Sequence, residues 1–367
     1  MKNVILDCDP GIDDALAIIM AIKGSKMDLF GDQRFNIAGV TTVSGNGSIK
    51  QTTHNALKLI HFLHEDQNIP VFQGEGKPLV FPPVEALEVH GIDGMGDILA
   101  GPPPISSKKL RAYEFIINTV LDFPRYKKNE SDSLSIIATG PLTNIAKALE
   151  IVKKEGKLDK FCANIDKIII MGGSIKESGN ITRAAEFNIF ADPHAAKIVL
   201  NSPISNKILV PLDVTRKVLV IESDLKKISA LIHKKNEDMS SISLLEFVYK
   251  IINRYHKFNV GYAGLKGSPM HDPLAVAVFL DPSLVKTTPL DVKVSLGDKS
   301  GFKLGGSERD SQKREDHSFQ TDLTRGMTIA ELRNGIFAQE ADPNVNVCLN
   351  ADSQRFKSLF FHLLTYF

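Results

Sequence analysis

The sequence LDCDPGIDDALA, residues 6–17, predicts a strand, a tight turn and a helix in direct succession. It follows the apolar run of residues 4–6, turns at Pro10-Gly11 and continues into the apolar, Pro-free residues 15–22. Carboxylates lie where the predicted strand ends and the helix begins, namely Asp7, Asp9, Asp13 and Asp14.

These four carboxylates indicate a cation site. In open α/β sheets, ligands bind at the carboxyl ends of the strands. Acids clustered at such a place repel one another, so they need a cation or protons. Oxygen-only ligands favour a hard cation, Ca²⁺ or Mg²⁺.

Closely spaced acids also occur at helix starts, in calcium-binding loops and in phosphatases. A helix dipole favours acids such as Asp13 and Asp14 in the first turn, but this leaves Asp7 and Asp9 unexplained. An EF-hand loop that began at Asp7 would need a bidentate Glu at its twelfth position, which is Ile18. A Mg²⁺-dependent phosphatase with Asp7 as nucleophile also begins with two Asp one residue apart, and it stays as an alternative.

Composition excludes several classes of protein. The chain has 367 residues and a formal net charge of +1, with its basic residues spread along the chain, so no nucleic-acid footprint is visible. We find no apolar run of membrane length and no secretory signal. Three distant cysteines, Cys8, Cys162 and Cys348, favour a reducing compartment. We expect a soluble cytoplasmic protein without a membrane or nucleic-acid partner.

Apolar strand-like runs alternate with helical patterns along most of the chain. The predicted strands after the first are residues 35–43, 69–72, 134–138, 165–171, 207–211 and 344–349. This alternation predicts an α/β fold with an open, mainly parallel, doubly wound sheet flanked by helices. We expect a single domain over residues 1–367, with a polar insertion or mobile loop at 296–325.

Further motifs place polar residues after predicted strands or at a helix start. They are TTVSGN at 41–46, ATGPLTN at 138–144, the segment IMGG…AEFN within 170–188, and PMHDPLA at 269–275. Taken singly, such residues are typical of turns and helix caps. Glu186 and Asn188 are two residues apart, so an extended segment would turn both side chains the same way and Phe187 toward the core.

Together with residues 6–17, these motifs resemble those of the inosine-uridine preferring nucleoside hydrolase family, from residue 4 to about residue 280. The resemblance implies hydrolysis of the N-glycosidic bond of ribonucleosides to ribose and free base. It implies a Ca²⁺ ion whose ligands are Asp9, Asp14, the carbonyl of Thr139 and Asp272. It also implies Asp9 as general base and Asp7 as support for the cluster. The residues implied on the ribose are Asp13, Asn46, Met171, Asn180, Glu186 and Asn188.

The resemblance also assigns residues to the leaving base. His271 and, from a Gly- and Pro-rich connection, His90 match the histidines of the branch that is nonspecific or uses pyrimidines. The purine-specific branch stacks the base on tryptophans, and this chain has no Trp.

The aromatic wall beside the base stays open between three residues. Tyr255 matches the first of two family tyrosines on a long predicted helix, whereas Asn259 occupies the second position. Phe258 and Tyr262 are therefore alternatives for this wall.

The family implies a ribonucleoside as small-molecule partner and a homodimer or homotetramer. Besides the phosphatase, a catalytically inactive nucleoside-binding relative stays as an alternative function.

Overall fold

The structure is a computed structural model that describes residues 2–27, 34–86, 91, 93–96, 98–99, 101–126, 132–234, 239–297, 323–333 and 341–365. Most of the predicted polar insertion, residues 298–322, lies outside the described residues, as does His90. In the described ranges, no helix is both long and apolar enough to cross a membrane.

The strands alternate with helices through most of the chain. In chain order the strands are β1 (Lys2–Cys8), β2 (Phe35–Thr42), β3 (Val71–Gln73), β4 (Ser133–Ala138), β5 (Lys167–Met171), β6 (Lys207–Val210), β7 (Leu219–Val220), β8 (Ser268–Pro269), β9 (Val285–Leu290), β10 (Val292–Val294), β11 (Thr328–Ala330) and β12 (Val345–Ala351). The helices are α1 (Ile12–Lys26), α2 (Ile49–Phe62), α3 (Ala112–Tyr126), α4 (Thr143–Lys154), α5 (Leu158–Ala163), α6 (Phe187–Ala191), α7 (Pro193–Leu200), α8 (Leu212–Thr215), α9 (Glu222–Lys234), α10 (Met239–Gly261), α11 (His271–Leu280) and α12 (Ser353–Thr365).

The central sheet has eight strands in the order β3-β2-β1-β4-β5-β6-β12-β9. Neighbouring strands are parallel except β9, which is antiparallel to β12 at one edge. The predicted mainly parallel, doubly wound sheet flanked by helices is thus confirmed. The sequence pattern did not predict β9 because four of its six residues are exposed and it lacks an apolar run.

Alternate residues of the central strands face two separate cores. Val4 and Leu6 of β1 pack in one apolar cluster with Leu16 of α1, whereas Ile5 packs in the other with Ile145 of α4. Burial on both faces explains why residues 4–6 of β1 form a continuous apolar run rather than an alternating pattern. Because β1 and β4 pair in parallel, the residues that follow these two strands lie at one end of the sheet.

The strand order reverses beside β1. The chain passes from β1 to β2 on one side, whereas β4 occupies the other side. The crevice at the carboxyl ends of two such strands is the ordinary ligand site of a doubly wound sheet. Asp9 and Thr139 directly follow β1 and β4, so the fold brings the acidic segment to this crevice.

Candidate active site

Asp7 lies within β1 and is fully buried and hydrogen-bonded. Its Oδ1 accepts hydrogen bonds from the hydroxyl of Thr41 at 2.6 Å and from the amide of Asn144 at 2.8 Å. Burial raises the pKa of Asp7 to about 6, against the effect of these two bonds. Asn144 also donates to the Thr42 carbonyl at 2.9 Å, so it ties β1 and β2 to α4. Sequence reasoning missed Thr41 and Asn144, although both lie in the quoted motifs.

Asp9 is fully buried just beyond β1. Its Oδ2 accepts a hydrogen bond from the backbone N–H of Asn46 at 2.7 Å. Among the described residues, nothing hydrogen-bonds to its buried Oδ1. Burial and the negative charge of Asp14 raise the pKa of Asp9 well above its usual range. A carboxylate in this position needs a proton or a cation.

Two glycines allow the chain to approach the Asp9 carboxylate. A Cβ atom at Gly45 would clash with Oδ2, and one at Gly140 would lie 2.6 Å from Oδ1. A carbon atom cannot lie so close to a carboxylate oxygen. Any larger residue at position 45 or 140 would therefore displace the side chain of Asp9. The close approach to Asp9 therefore explains why the TTVSGN and ATGPLTN motifs contain glycine at these positions.

Asp14 joins three parts of the crevice at the start of α1. Its Oδ2 accepts from the backbone N–H of Gly11 and from the side-chain amide of Asn46, both at 3.0 Å. Its Oδ1 accepts from the hydroxyl of Thr139 at 2.8 Å. Asp14 therefore caps its own helix and connects β1, β2 and β4.

Asp13, Asp14 and Asp272 form a compact group of buried carboxylates. One oxygen from each lies within 4.8 Å of the others, which would suit a shared metal ion. Asp13 and Asp272 each shift the pKa of the other, which shows how close together their carboxyl groups lie. Burial and the Asp14 charge raise the pKa of Asp13 to about 7. Burial and the neighbouring aspartates raise the pKa of Asp272 well above its usual range.

The carboxylate group differs in membership from the implied ligand set. It contains Asp13, which the resemblance assigned to the ribose, and it leaves out Asp9, although the charge of Asp9 contributes to the raised pKa of Asp272. The carbonyl of Thr139 accepts the side-chain amide of Asn188 at 2.7 Å. The implied ligands thus lie in one crevice, but their ligand roles stay predictions.

The segment with the implied ribose residues is not extended, which corrects the expectation from residue spacing. Glu186 is the N-cap of α6 and accepts the backbone N–H groups of Asn188 at 2.9 Å and Ile189 at 3.1 Å. It also accepts the N–H of Gly173 at 3.0 Å. Burial outweighs these bonds and raises the pKa of Glu186 to about 7. Residue spacing alone did not predict the cap, because two residues in the first turn of a helix can have the same i, i+2 spacing as two residues on one face of a strand.

Asn188, Met171 and Asn180 lie in the same region. The amide of Asn188 also contacts the sulfur of Met171 at 3.4 Å, so the end of β5 touches α6. Oδ1 of Asn180 accepts the backbone N–H of Phe187 at 2.8 Å. The structure therefore brings these residues together around the start of α6.

His271 and Tyr255 flank the crevice from α11 and α10. Nδ1 of His271 lies 2.7 Å from Oγ1 of Thr215, a fully buried residue that sequence reasoning missed. Tyr255 is 4% exposed. Burial and the charges of Asp13 and Asp272 raise the pKa of its phenol.

Tyr262 lies in a different environment, since 78% of it is exposed. Its ring stacks on Phe258 with a centroid distance of 5.3 Å. The charges of Asp13 and Asp272 act on the phenol of Tyr255, so this residue lies beside the acidic crevice.

Comparison with known proteins gives a consistent result. Residues 4–358 match the family model described as inosine-uridine preferring nucleoside hydrolase. The chain is 31% identical over 335 residues to the inosine-uridine preferring nucleoside hydrolase of Crithidia fasciculata, spanning 91% of this chain and 89% of that protein. It is 34% identical over 285 residues to the pyrimidine-specific ribonucleoside hydrolase RihA of Photobacterium profundum, spanning 77% and 81%. Its structure is similar to that of a purine-preferring ribonucleoside hydrolase from Gardnerella vaginalis, with a TM-score of 0.75, 28% identity and coverage of 99% and 98%.

Proposed function

The chain belongs to the inosine-uridine preferring nucleoside hydrolase family, and from this we propose that it is a Ca²⁺-dependent hydrolase of uridine and of other pyrimidine or purine ribonucleosides. As a ribonucleoside hydrolase, it cleaves the N-glycosidic bond and releases ribose and free base. The observation that carries the proposal is the group of buried carboxylates at the switch point of the sheet. Beside it lies Oδ1 of Asp9, which has no hydrogen-bond partner in the part of the chain that the structure describes.

The donor set fits a hard cation. It consists of oxygens, and the raised carboxyl pKa values mean that the cluster needs protons or positive charge. The proposed ligands are Asp9, Asp14, the Thr139 carbonyl and Asp272. When bound, Ca²⁺ supplies positive charge that makes a water molecule at the site more acidic.

The protein's own groups then act on water and on the sugar. Asp9 takes a proton from the attacking water as general base. The sugar develops positive charge as the glycosidic bond breaks, and nearby carboxylates stabilise that charge. The groups proposed to hold the ribose are Asp13, Asn46, Met171, Asn180, Glu186 and Asn188.

His271 is proposed to assist departure of the base, with His90 as a second histidine and Tyr255 beside the base. The contact with Thr215 fixes one side of the His271 ring. The absence of Trp and the similarity to a pyrimidine-specific relative support the use of pyrimidine nucleosides.

The phosphatase alternative loses its support in the structure. Its nucleophile would be Asp7, which is 0% exposed and whose Oδ1 accepts bonds from Thr41 and Asn144. Asp7 lies inside β1, whereas Asp9 and Asp14, the proposed metal ligands, lie beyond the end of this strand.

A reducing-sugar assay over a panel of nucleosides tests the proposal, with and without a chelator. We expect the enzyme to release ribose from uridine. A chelator should abolish this release, and added Ca²⁺ should restore it. Ribose release that survives exhaustive chelation would contradict the metal requirement, and phosphate release from phosphate esters would favour the phosphatase.

We also propose a single domain, a homodimer or homotetramer and a cytoplasmic location. Light scattering tests the assembly, and three buried free cysteines are compatible with a reducing compartment.

A further inference from the structure

The short helix α8 and the residue after it contact both sides of the proposed active site. Asp213 of α8 is 3% exposed. Its carboxylate accepts the backbone N–H of Ile175 at 2.8 Å and that of Lys176 at 2.7 Å. One side chain therefore holds two successive amides of the connection that follows β5.

Arg216 holds the next part of the same connection. Its Nη1 donates to the carbonyl of Ser178 at 2.7 Å, and its Nη2 donates to the carbonyl of Gly179 at 2.8 Å. The following residue is Asn180, whose side chain accepts the N–H of Phe187 at the start of α6. Asp213 and Arg216 thus fix the backbone that leads into the proposed ribose residues.

Thr215, between these two residues, faces the opposite side of the site. Its hydroxyl lies 2.7 Å from Nδ1 of His271 at the start of α11. Thr215 is fully buried, and Leu212 and Val214 of the same helix are fully buried as well. The helix is therefore anchored in the core while its polar residues extend to both sides.

We propose that Asp213, Thr215 and Arg216 are positioning residues that set the separation between the ribose-binding segment and His271. The bond to be cleaved lies between the sugar and the base. The separation therefore determines whether the ribose-binding segment and His271 can contact the sugar and the base at the same time. A displacement of about 1 Å at such a site can cost on the order of 10²-fold in rate. The proposal rests on the ribonucleoside hydrolase function and on the proposed role of His271.

Substitution of Thr215 tests the base side. Thr215→Val removes the hydroxyl at nearly constant volume, and we expect kcat for uridine to fall by about tenfold or more with little change in KM. Hydrolysis of p-nitrophenyl riboside, whose leaving group departs without a proton, should change less than about threefold. Thr215→Ser keeps the hydroxyl and should restore most of the uridine rate.

Substitution of Arg216 tests the sugar side. Arg216→Gln should raise the KM of uridine, the KM of p-nitrophenyl riboside and the inhibition constant of free ribose by a similar factor of about three to ten. Asp213→Asn replaces one of the two acceptor oxygens by an amide donor that faces a backbone N–H group, and it should act in the same direction. Arg355→Gln is the matched control, because Arg355 pairs with Asp281 at the far end of α11.

The outcomes separate this proposal from the proposed function. Wild-type protein that releases no ribose from any nucleoside overturns the function and the positioning proposal together. If wild type is active, two results overturn the positioning proposal alone, provided that the variants melt like wild type. One is equal loss on both substrates in Thr215→Val, and the other is unchanged KM and ribose inhibition in Arg216→Gln. Should Asp213→Asn not fold, the partly exposed Arg216 and the nearly isosteric Thr215→Val still decide the result.

Discussion

The side-chain amide of Asn46 donates to Oδ2 of Asp14 at 3.0 Å, so the turn that follows β2 is joined to the start of α1. The same amide donates to the backbone carbonyl of Asp9 at 3.1 Å. The backbone N–H of Asn46 donates to the carboxylate of Asp9 at 2.7 Å. One residue therefore orients two of the proposed Ca²⁺ ligands, in addition to its proposed contact with the ribose.

Replacement of Asn46 by Ala should weaken Ca²⁺ binding. Loss of a residue that orients metal ligands typically lowers metal affinity by about 10- to 100-fold. Calorimetric titration of Ca²⁺ into chelator-treated protein measures this effect without substrate. Asn164→Ala is the control, because the amide of Asn164 donates to the carbonyl of Val120 in α3, away from the carboxylates. Wild-type affinity in Asn46→Ala would remove Asn46 from the support of the metal site.

Asp9→Asn should keep the fold but lose most of the rate. The carboxylate is replaced by a neutral group of the same shape, which removes a base and a charged ligand together. General base catalysis alone contributes on the order of 10²-fold or more, so kcat at saturating Ca²⁺ should fall by at least that factor. The surface variant Asp166→Asn serves as control. An Asp9→Asn enzyme within about tenfold of wild type would show that another group takes the proton.

His271→Ala should slow natural nucleosides far more than p-nitrophenyl riboside. The nucleoside base needs a proton or hydrogen bond to leave, whereas p-nitrophenolate does not. Steady-state kcat/KM for uridine and for the nitrophenyl substrate gives the comparison. Equal losses on both substrates would instead assign His271 to the support of Asp272, its neighbour in the chain.

The pKa of Glu186 predicts how stability depends on pH. Burial raises this pKa from 4.5 to about 7, so the folded state keeps the proton over a range in which the unfolded chain has lost it. The folded state then binds more protons, and the free energy of unfolding falls as pH rises from about 4.5 to about 7. The slope from one such group is at most about 1.4 kcal/mol per pH unit.

Urea denaturation of wild type and Glu186→Gln between pH 5 and 7 measures this contribution. The stability advantage of wild type over the variant should shrink as pH rises, because Gln carries no titrating proton. Glu150→Gln on the exposed face of α4 controls for loss of a surface charge. An advantage that stays constant between pH 5 and 7 would mean that Glu186 is already ionised in the folded state.

The sequence predicts the parallel sheet and the place of the acidic crevice, because both depend on local patterns. Apolar runs such as residues 4–6 specify buried strands, and turn residues specify where they end. The sequence does not predict partners that are distant in the chain. Asn144, which bonds to Asp7, and Thr215, which contacts His271, resemble ordinary cap and helix residues until the fold brings them together.

The end of the predicted polar insertion shows the same limit. Arg325 closes a charged segment, yet it is only 5% exposed. Its guanidinium lies 3.8 Å from the ring centroid of Phe81 and 4.3 Å from that of Phe190. Its Nε donates to the carbonyl of Phe190 in α6 at 3.1 Å. Composition assigns such a residue to solvent, whereas cation–π contacts that stabilise it come from residues far along the chain.

Discrimination against 2′-deoxyribonucleosides should be strong. The motivation is the number of polar groups around the crevice, of which Asp13 and Asn46 are the proposed contacts of the 2′-hydroxyl. Asp13 is 6% and Asn46 8% exposed, so an unmatched partner would stay poorly hydrated. A site built to bond a hydroxyl rejects the analogue without it by roughly 10⁴-fold. Base contacts are fewer, so we expect strict recognition of the sugar and tolerance of the base.

Intrinsic reactivity opposes this discrimination. A deoxyriboside breaks more easily, because the electron-withdrawing 2′-hydroxyl no longer destabilises the positive charge on the sugar. We therefore expect kcat/KM to fall by about 10²- to 10³-fold from uridine to deoxyuridine. Asn46→Ala should narrow this ratio, since it removes one reader of the hydroxyl, whereas Asn164→Ala should leave it unchanged. If wild type uses deoxyuridine within a few-fold of uridine, Asp13 and Asn46 do not read the 2′-hydroxyl, and the proposed sugar site is wrong.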